Sequence, residues 1–202
     1  MRRFLIAIVA IIIVISQVSC VQQEKKDIKV VINDYYEKND ELNKGKIKIL
    51  VVKPYKENTL VLAQKYSGDG EPHTDLFIIN KIMKITKKAV GEEPISMCFT
   101  VNIINFDETT IAFGNFKDSK WLVETDAKKA VKIENIYVKF KNGEIFKENV
   151  DMDKGYILFT KSNTEIETMN LYNKNNELQS SLEDLERYGK VFDEAEFVDI
   201  TE

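Results

Sequence analysis

Residues 131–150 read VKIENIYVKFKNGEIFKENV. Val131 to Phe140 has the composition of a strand, and Ile145 to Val150 reads as its return. Between them stands Lys141-Asn142-Gly143-Glu144. Asn-Gly at the centre of a turn is the strongest short-range hairpin signal. Antiparallel pairing is therefore expected, and the flanking sequence repeats the style. Downstream, Asp151 to Gly155 reads as a tight turn and Tyr156 to Thr160 as a strand. Ile166 to Tyr172 and Glu177 to Ser180 then flank the turn Asn173-Lys174-Asn175-Asn176. Ser181 to Glu186 begins like a capping box and predicts a short helix over 181–189. Phe192 to Glu202 is acidic with scattered apolar residues.

Upstream the same period of two begins at Lys46, where Ile47, Ile49 and Val51 alternate with Lys46, Lys48 and Leu50. A break at Pro54–Asn58 and a return over Thr59 to Lys65 make a first hairpin. Ser67-Gly68-Asp69-Gly70-Glu71-Pro72 is the strongest loop signal in the chain. Leu76 to Ile79 and Lys81 to Lys87 are two further strands turning near Asn80, and Gly91 to Pro94 is a break. Ile95 to Phe106 is expected as one strand, with Ile95, Met97, Phe99, Val101 and Ile103 on one face. Asp107-Glu108 turns it into Thr109 to Phe113, and Lys120 to Glu124 is a further strand. Ahead of all these, Ile28, Val31, Ile32, Tyr35 and Leu42 recur near helical spacing. They predict one amphipathic helix over about 24–43, ended by Asn43 and Gly45, with its apolar face on a sheet. The fold class expected is mainly β (α+β): an antiparallel multi-stranded sheet or sandwich with one N-terminal amphipathic helix.

The N-terminus carries a different message. Arg2 and Arg3 precede an apolar run from Phe4 to Ile15, then Ser16, Gln17, Val18, Ser19 and Cys20. A basic start, a short apolar stretch and a small residue before a cut site are the parts of an export signal. Val18, Ser19 and Cys20 resemble the cleavage site of bacterial lipoproteins; Gln17 stands where that pattern has a branched aliphatic residue. The resemblance implies lipidation of Cys20, which holds the protein on the outer face of the cell membrane. The alternatives are an uncleaved N-terminal signal anchor and ordinary cleavage with free secretion. Under the lipoprotein reading, 1–19 is the signal peptide, 20–27 the lipidated N-terminus and tether, and 28–202 a single extracytoplasmic domain. The Lys/Ile/Asn-rich composition and the run from Met169 to Leu178 are also similar to small lipoproteins of low-GC Gram-positive bacteria. That resemblance implies a surface location and no particular activity.

Composition narrows the partners. The chain has 29 basic and 33 acidic residues and a net charge of −4. Beyond Arg2 and Arg3 the only arginine is Arg187. A lysine-based, net acidic chain argues against nucleic acid and offers no polybasic surface for anionic lipid. His73 is the single histidine, which removes most histidine-based catalysis and most zinc sites. The two cysteines are Cys20 and Cys98; a lipidated Cys20 leaves Cys98 as a small buried hydrophobe, and a Cys20–Cys98 disulfide is the competing account.

Three groups deserve weighing as sites. Asp151-Met152-Asp153-Lys154-Gly155 starts like a calcium loop but has Gly155 at the fifth position and Ser162 at the twelfth, where oxygen ligands are needed. Glu71, His73 and Asp75 lie close together but sit by a flexible loop without a second histidine. Trp121, Tyr35, Tyr36, Tyr137, Tyr156 and Tyr172 can line a sugar or peptide groove, or simply pack a core. No catalytic residue, no metal site and no cofactor are expected. The function expected is a lipid-anchored binding or interaction protein, attached to the membrane through Cys20 and meeting a ligand or an envelope protein. The alternatives are an envelope assembly accessory docking through the N-terminal helix and a wall or surface polymer hydrolase.

Overall fold

The computed structural model describes residues 28–39, 47–66, 72–122, 124–187 and 195–198. The export signal, Cys20, the tether, Leu42, Asn43, Gly45 and Glu71 lie outside the described residues. The chain divides into two compact units, one up to Lys44 and one from Gly45 onward. In the first, helix α1 spans 28–39. Its buried positions are Ile28, Ile32 and Tyr36, four residues apart and so on one face, with Val31 and Tyr35 half-buried beside them.

The second unit is mostly β, and among the described residues every strand pair is antiparallel. β1 (Ile47–Tyr55), β2 (Asn58–Lys65), β3 (His73–Asn80) and β4 (Ile85–Gly91) form a meander. β5 (Asn102–Phe106) and β6 (Thr109–Gly114) form a hairpin. Its turn is Asp107-Glu108, with φ of 48° and 62° at two non-glycine residues. β7 (Ser119–Leu122) pairs with β8 (Ala127–Ala130). β9 (Asn135–Phe140) and β10 (Ile145–Asn149) are the Asn-Gly hairpin, and Gly143 holds the positive φ of 87° that its turn needs. β11 (Tyr156–Phe159) returns to lie beside β6. β12 (Ile166–Tyr172) pairs with β9 on one side and β13 (Leu178–Ser181) on the other. Helix α2 (Leu182–Arg187) follows, and β14 (Phe197–Val198) closes the meander as a fifth strand beside β4.

The three-stranded sheet β11-β6-β5 is packed on both faces. Ile111, Phe113, Ile157 and Ile104 point to one side and pack with Leu60, Leu62, Leu76 and Ile78 of the five-stranded sheet. Ala112, Tyr156 and Leu158 point to the other and pack with Ile136, Val138, Phe140, Met169 and Leu171 of the sheet β10-β9-β12-β13. Alternate residues of a strand face opposite ways, so apolar residues in both registers let one sheet serve two cores. Close backbone approach holds this region together: a Cβ on Gly114 would run into the Thr100 carbonyl, and one on Gly155 into that of Gly114.

Four sequence expectations are corrected. Within Ile95 to Phe106 only Asn102–Phe106 is a strand. Met97, Cys98, Phe99, Thr100 and Val101 are all buried, and pairing beyond β5 is reduced to an isolated bridge between Phe99 and Phe116, with Lys117 N–H to Cys98 O (2.9 Å) and Thr100 N–H to Asn115 O (3.2 Å). β4 starts at Ile85 rather than Lys81, because Asn80 Oδ1 accepts from the backbone of Ile82 (3.1 Å) and Lys84 (3.0 Å) and extends the turn. Val131 to Glu134 lies outside any strand, and β9 begins at Asn135. β8 and β14 have no counterpart in the pattern: β8 is exposed throughout and β14 is two residues long.

If the central sheet carries both cores, Phe113→Ala costs about 3–5 kcal/mol. Ile145→Ala, at a position 53% exposed, stays within about 0.5 kcal/mol. Urea midpoints of the two variants with unchanged slopes are the check.

Candidate functional site

The hairpin β9–β10 and strand β12 place a row of polar and aromatic side chains on the face opposite the core. On β9 the core takes Ile136, Val138 and Phe140, so Asn135, Tyr137 and Lys139 face the other way. In register, Lys147 and Asn170 stand on either side of Tyr137, and Asn149 and Tyr172 on either side of Asn135. Of these, Asn135, Tyr137, Lys147, Asn149 and Tyr172 border an open cleft of about 440 Å³, together with Ile136, Glu148 and Asn176. The Lys147 ammonium lies over the Tyr137 ring, 5.4 Å from its centroid. Glu148 is tied to Lys53 of β1 at 2.8 Å. Asn176 is held at a φ of 61° by its turn, in which Asn173 Oδ1 accepts from the backbone of Asn175 (2.9 Å) and Glu177 (3.0 Å).

Of the aromatic residues picked out in the sequence, the structure brings Tyr137 and Tyr172 together in this cleft. Tyr156 is buried in the core; it donates to Thr100 O at 2.7 Å, and burial pushes its phenol well above the ordinary range. Tyr35 and Tyr36 lie edge to face on α1, with centroids 5.7 Å apart. Trp121 is 42% exposed on β7 and borders a separate cavity of about 100 Å³ with Ile95, Lys117 and Lys128. The amides of Asn135, Asn149 and Asn176 carried no sequence signal, because asparagines also mark turns and are spread over the whole second half of the chain.

The remaining candidates fall in structural settings. Asp75 forms an ion pair with Lys88 at 3.0 Å, and His73 stands exposed at the start of β3. Asp151 caps its own turn by accepting from Asp153 N–H (3.1 Å) and meets Lys154 at 3.0 Å. Cys98 is fully buried, and burial pushes its thiol up against the opposing influence of Ser180 and Lys120. Beside it, Asp184 Oδ2 accepts from Ser180 Oγ (2.7 Å), Lys120 Nζ (2.8 Å) and Ser181 N–H (3.3 Å) at the start of α2. Burial alone would raise the Asp184 carboxyl; the bonds from Lys120 and Ser180 outweigh it and leave the group below its ordinary value.

A second polar cluster escaped the sequence reading. Asn115 Nδ2 donates to Glu93 Oε2 (2.5 Å) and Thr74 Oγ1 (3.0 Å), and its Oδ1 accepts from Thr100 Oγ1 (3.1 Å). Gln64 donates to Glu93 at 3.4 Å, and Thr74 also donates to the Glu93 carboxylate. The network satisfies buried polar groups between β2, β3 and the end of β6. Its members come from five separate segments, so no local pattern marks them.

No protein-family model matches this chain, and neither a curated protein nor a solved structure matches it.

Two measurements follow from the α2 cluster. Cys98 should stay unreactive to a soluble disulfide reagent in the native state and react on unfolding; rapid native labelling would contradict its burial. The folded Asp184 carboxyl lies below its unfolded value of about 3.9, so its contribution is complete above that pH and lost as pH falls through the folded value. The stability gap between the parent and Asp184→Asn, followed by urea titration, should therefore be present at neutral pH and shrink below about pH 4.

Proposed function

We propose that this chain is a lipid-anchored extracytoplasmic binding protein, held at the membrane through Cys20, whose ligand site is the Tyr137–Tyr172 cleft. The observation that carries the reading is the cleft itself. Two tyrosines from separate hairpins stand half-exposed on one sheet face, interleaved with amides and one lysine, where a purely structural sheet needs only solvated charges. The site orients and holds rather than reacts. Its charged members are a lysine stacked on a tyrosine and a glutamate engaged by Lys53, and neither faces a nucleophile.

The location rests on the basic start, the apolar run Phe4 to Ile15 and the small residue before Cys20.

The intact mass of protein recovered from the membrane fraction tests the anchor. The expected mass begins at residue 20 and carries added lipid, and Cys20→Ala loses both the lipid and the membrane association. A mass beginning at Met1 in both forms would replace lipidation with a signal anchor.

A further inference from the structure

The cleft has a chemistry that selects its occupant, and we propose that it binds an acidic oligosaccharide, with a pyranose ring against Tyr137 and Tyr172 and a sugar carboxylate on Lys147. This rests on the reading of the cleft as the ligand site.

Hydrogen-bonding capacity is the first argument. The lining combines the amides of Asn135, Asn149 and Asn176 with two phenols. An amide carries donors and an acceptor side by side, and a phenol carries one of each sense. Vicinal sugar hydroxyls are likewise both donors and acceptors, so the two sets match. The tyrosine rings add flat apolar faces suited to the C–H face of a pyranose. The volume, about 440 Å³, falls in the range of about 300–1,000 Å³ typical of small-ligand sites.

Charge narrows the sugar. Glu148 is engaged by Lys53 at 2.8 Å, and Lys139, next along β9, by Glu167 at 2.7 Å. Lys147 meets no carboxylate among the described residues; its ammonium lies over the Tyr137 ring. The cleft thus presents one uncompensated positive charge beside an aromatic face, which complements a carboxylate and disfavours an amino sugar.

Position in the sheet argues against a peptide. Tyr137 lies on β9, whose backbone is paired with β10 on one side and β12 on the other. At the cleft a peptide strand could pair only along the outer edge of β10, two strands away from Tyr172. Nor is there an apolar anchor pocket, because Ile136, the aliphatic member of the lining, is 1% exposed.

Titration of the full ¹⁵N-labelled chain in detergent micelles decides the matter, with trigalacturonate, maltotriose and triglutamate each taken to about 10 mM to reach a Kd of about 1 mM. Trigalacturonate is expected to shift the amides of Tyr137, Asn149 and Tyr172, and to bind more tightly than maltotriose. Tyr172→Ala should weaken binding about tenfold, with Tyr172→Phe, which keeps the ring, much closer to the parent. Lys147→Met, at an exposed position that the fold does not need, should abolish the preference for the acidic sugar. Absence of shifts with trigalacturonate overturns the proposal. Equal shifts from triglutamate would mean that the site reads charge alone, which sinks the sugar and leaves the cleft as a ligand site. Shifts confined to other residues, insensitive to Tyr172→Ala, would remove both.

Discussion

β6 is buried along its entire length, and the rest of the Gly45–Glu202 unit depends on that burial. Its residues alternate between two cores, Ile111 and Phe113 toward the five-stranded sheet and Ala112 toward the four-stranded one. A strand covered on both faces must satisfy its backbone laterally, and β5 and β11 do this on its two sides. The hydroxyls of Thr109 and Thr110 are spoken for as well: Tyr55 donates to the first at 2.8 Å, and the second donates to Thr164 O at 2.8 Å. Buried polar groups on such a strand would be costly unpaired, so they tie it to β1 and to the approach of β12.

The small residues follow from the same constraint. Ala112 keeps the layer thin on the side that also receives Tyr156 and Leu158. Gly114 leaves room for the Thr100 carbonyl where the segment Met97–Val101 runs alongside Asn115–Lys117, and Gly155 leaves room for Gly114. Apolar alternation is a poor guide in that segment: its odd and even residues are all buried, and its pairing is reduced to an isolated bridge between Phe99 and Phe116.

What the sequence disclosed divides along physical lines. The antiparallel β class and the hairpins at Asp107-Glu108, Asn142-Gly143 and Asn173–Asn176 were legible, because turn chemistry is local and alternation is a two-residue signal. The short α2 was legible from its capping residues. β14 was not, because two residues held by pairing with Ala89 and Lys88 leave no periodicity to read. The site was half legible. Tyr137 and Tyr172 stood among six aromatic candidates, and only register, which depends on long-range pairing, separates them from the buried Tyr156. The Asn115–Glu93 network was illegible for the same reason, since its bonds join strands remote in sequence.

The position of the cleft follows from how the faces are used. The three-stranded sheet has both faces committed to cores. The five-stranded sheet commits Leu60, Leu62, Leu76 and Ile78 to one core, and on its reverse Val61, Ala63, Phe77 and Ile79 are also buried. In the four-stranded sheet, by contrast, the residues between Ile136, Val138 and Phe140 are only half-buried. There side chains can change without opening a cavity in a core, since truncation at such positions carries no packing term. A face of that kind can hold aromatic rings and amides in fixed register, three strands wide, while the layers beneath supply rigidity. The Lys53–Glu148 pair joins β1 to β10 from the opposite face of that sheet, the one that carries Ile136. Rigid placement lowers the entropy lost when a flexible polyhydroxylated ligand is ordered, and so favours recognition by many weak hydrogen bonds over one deep anchor.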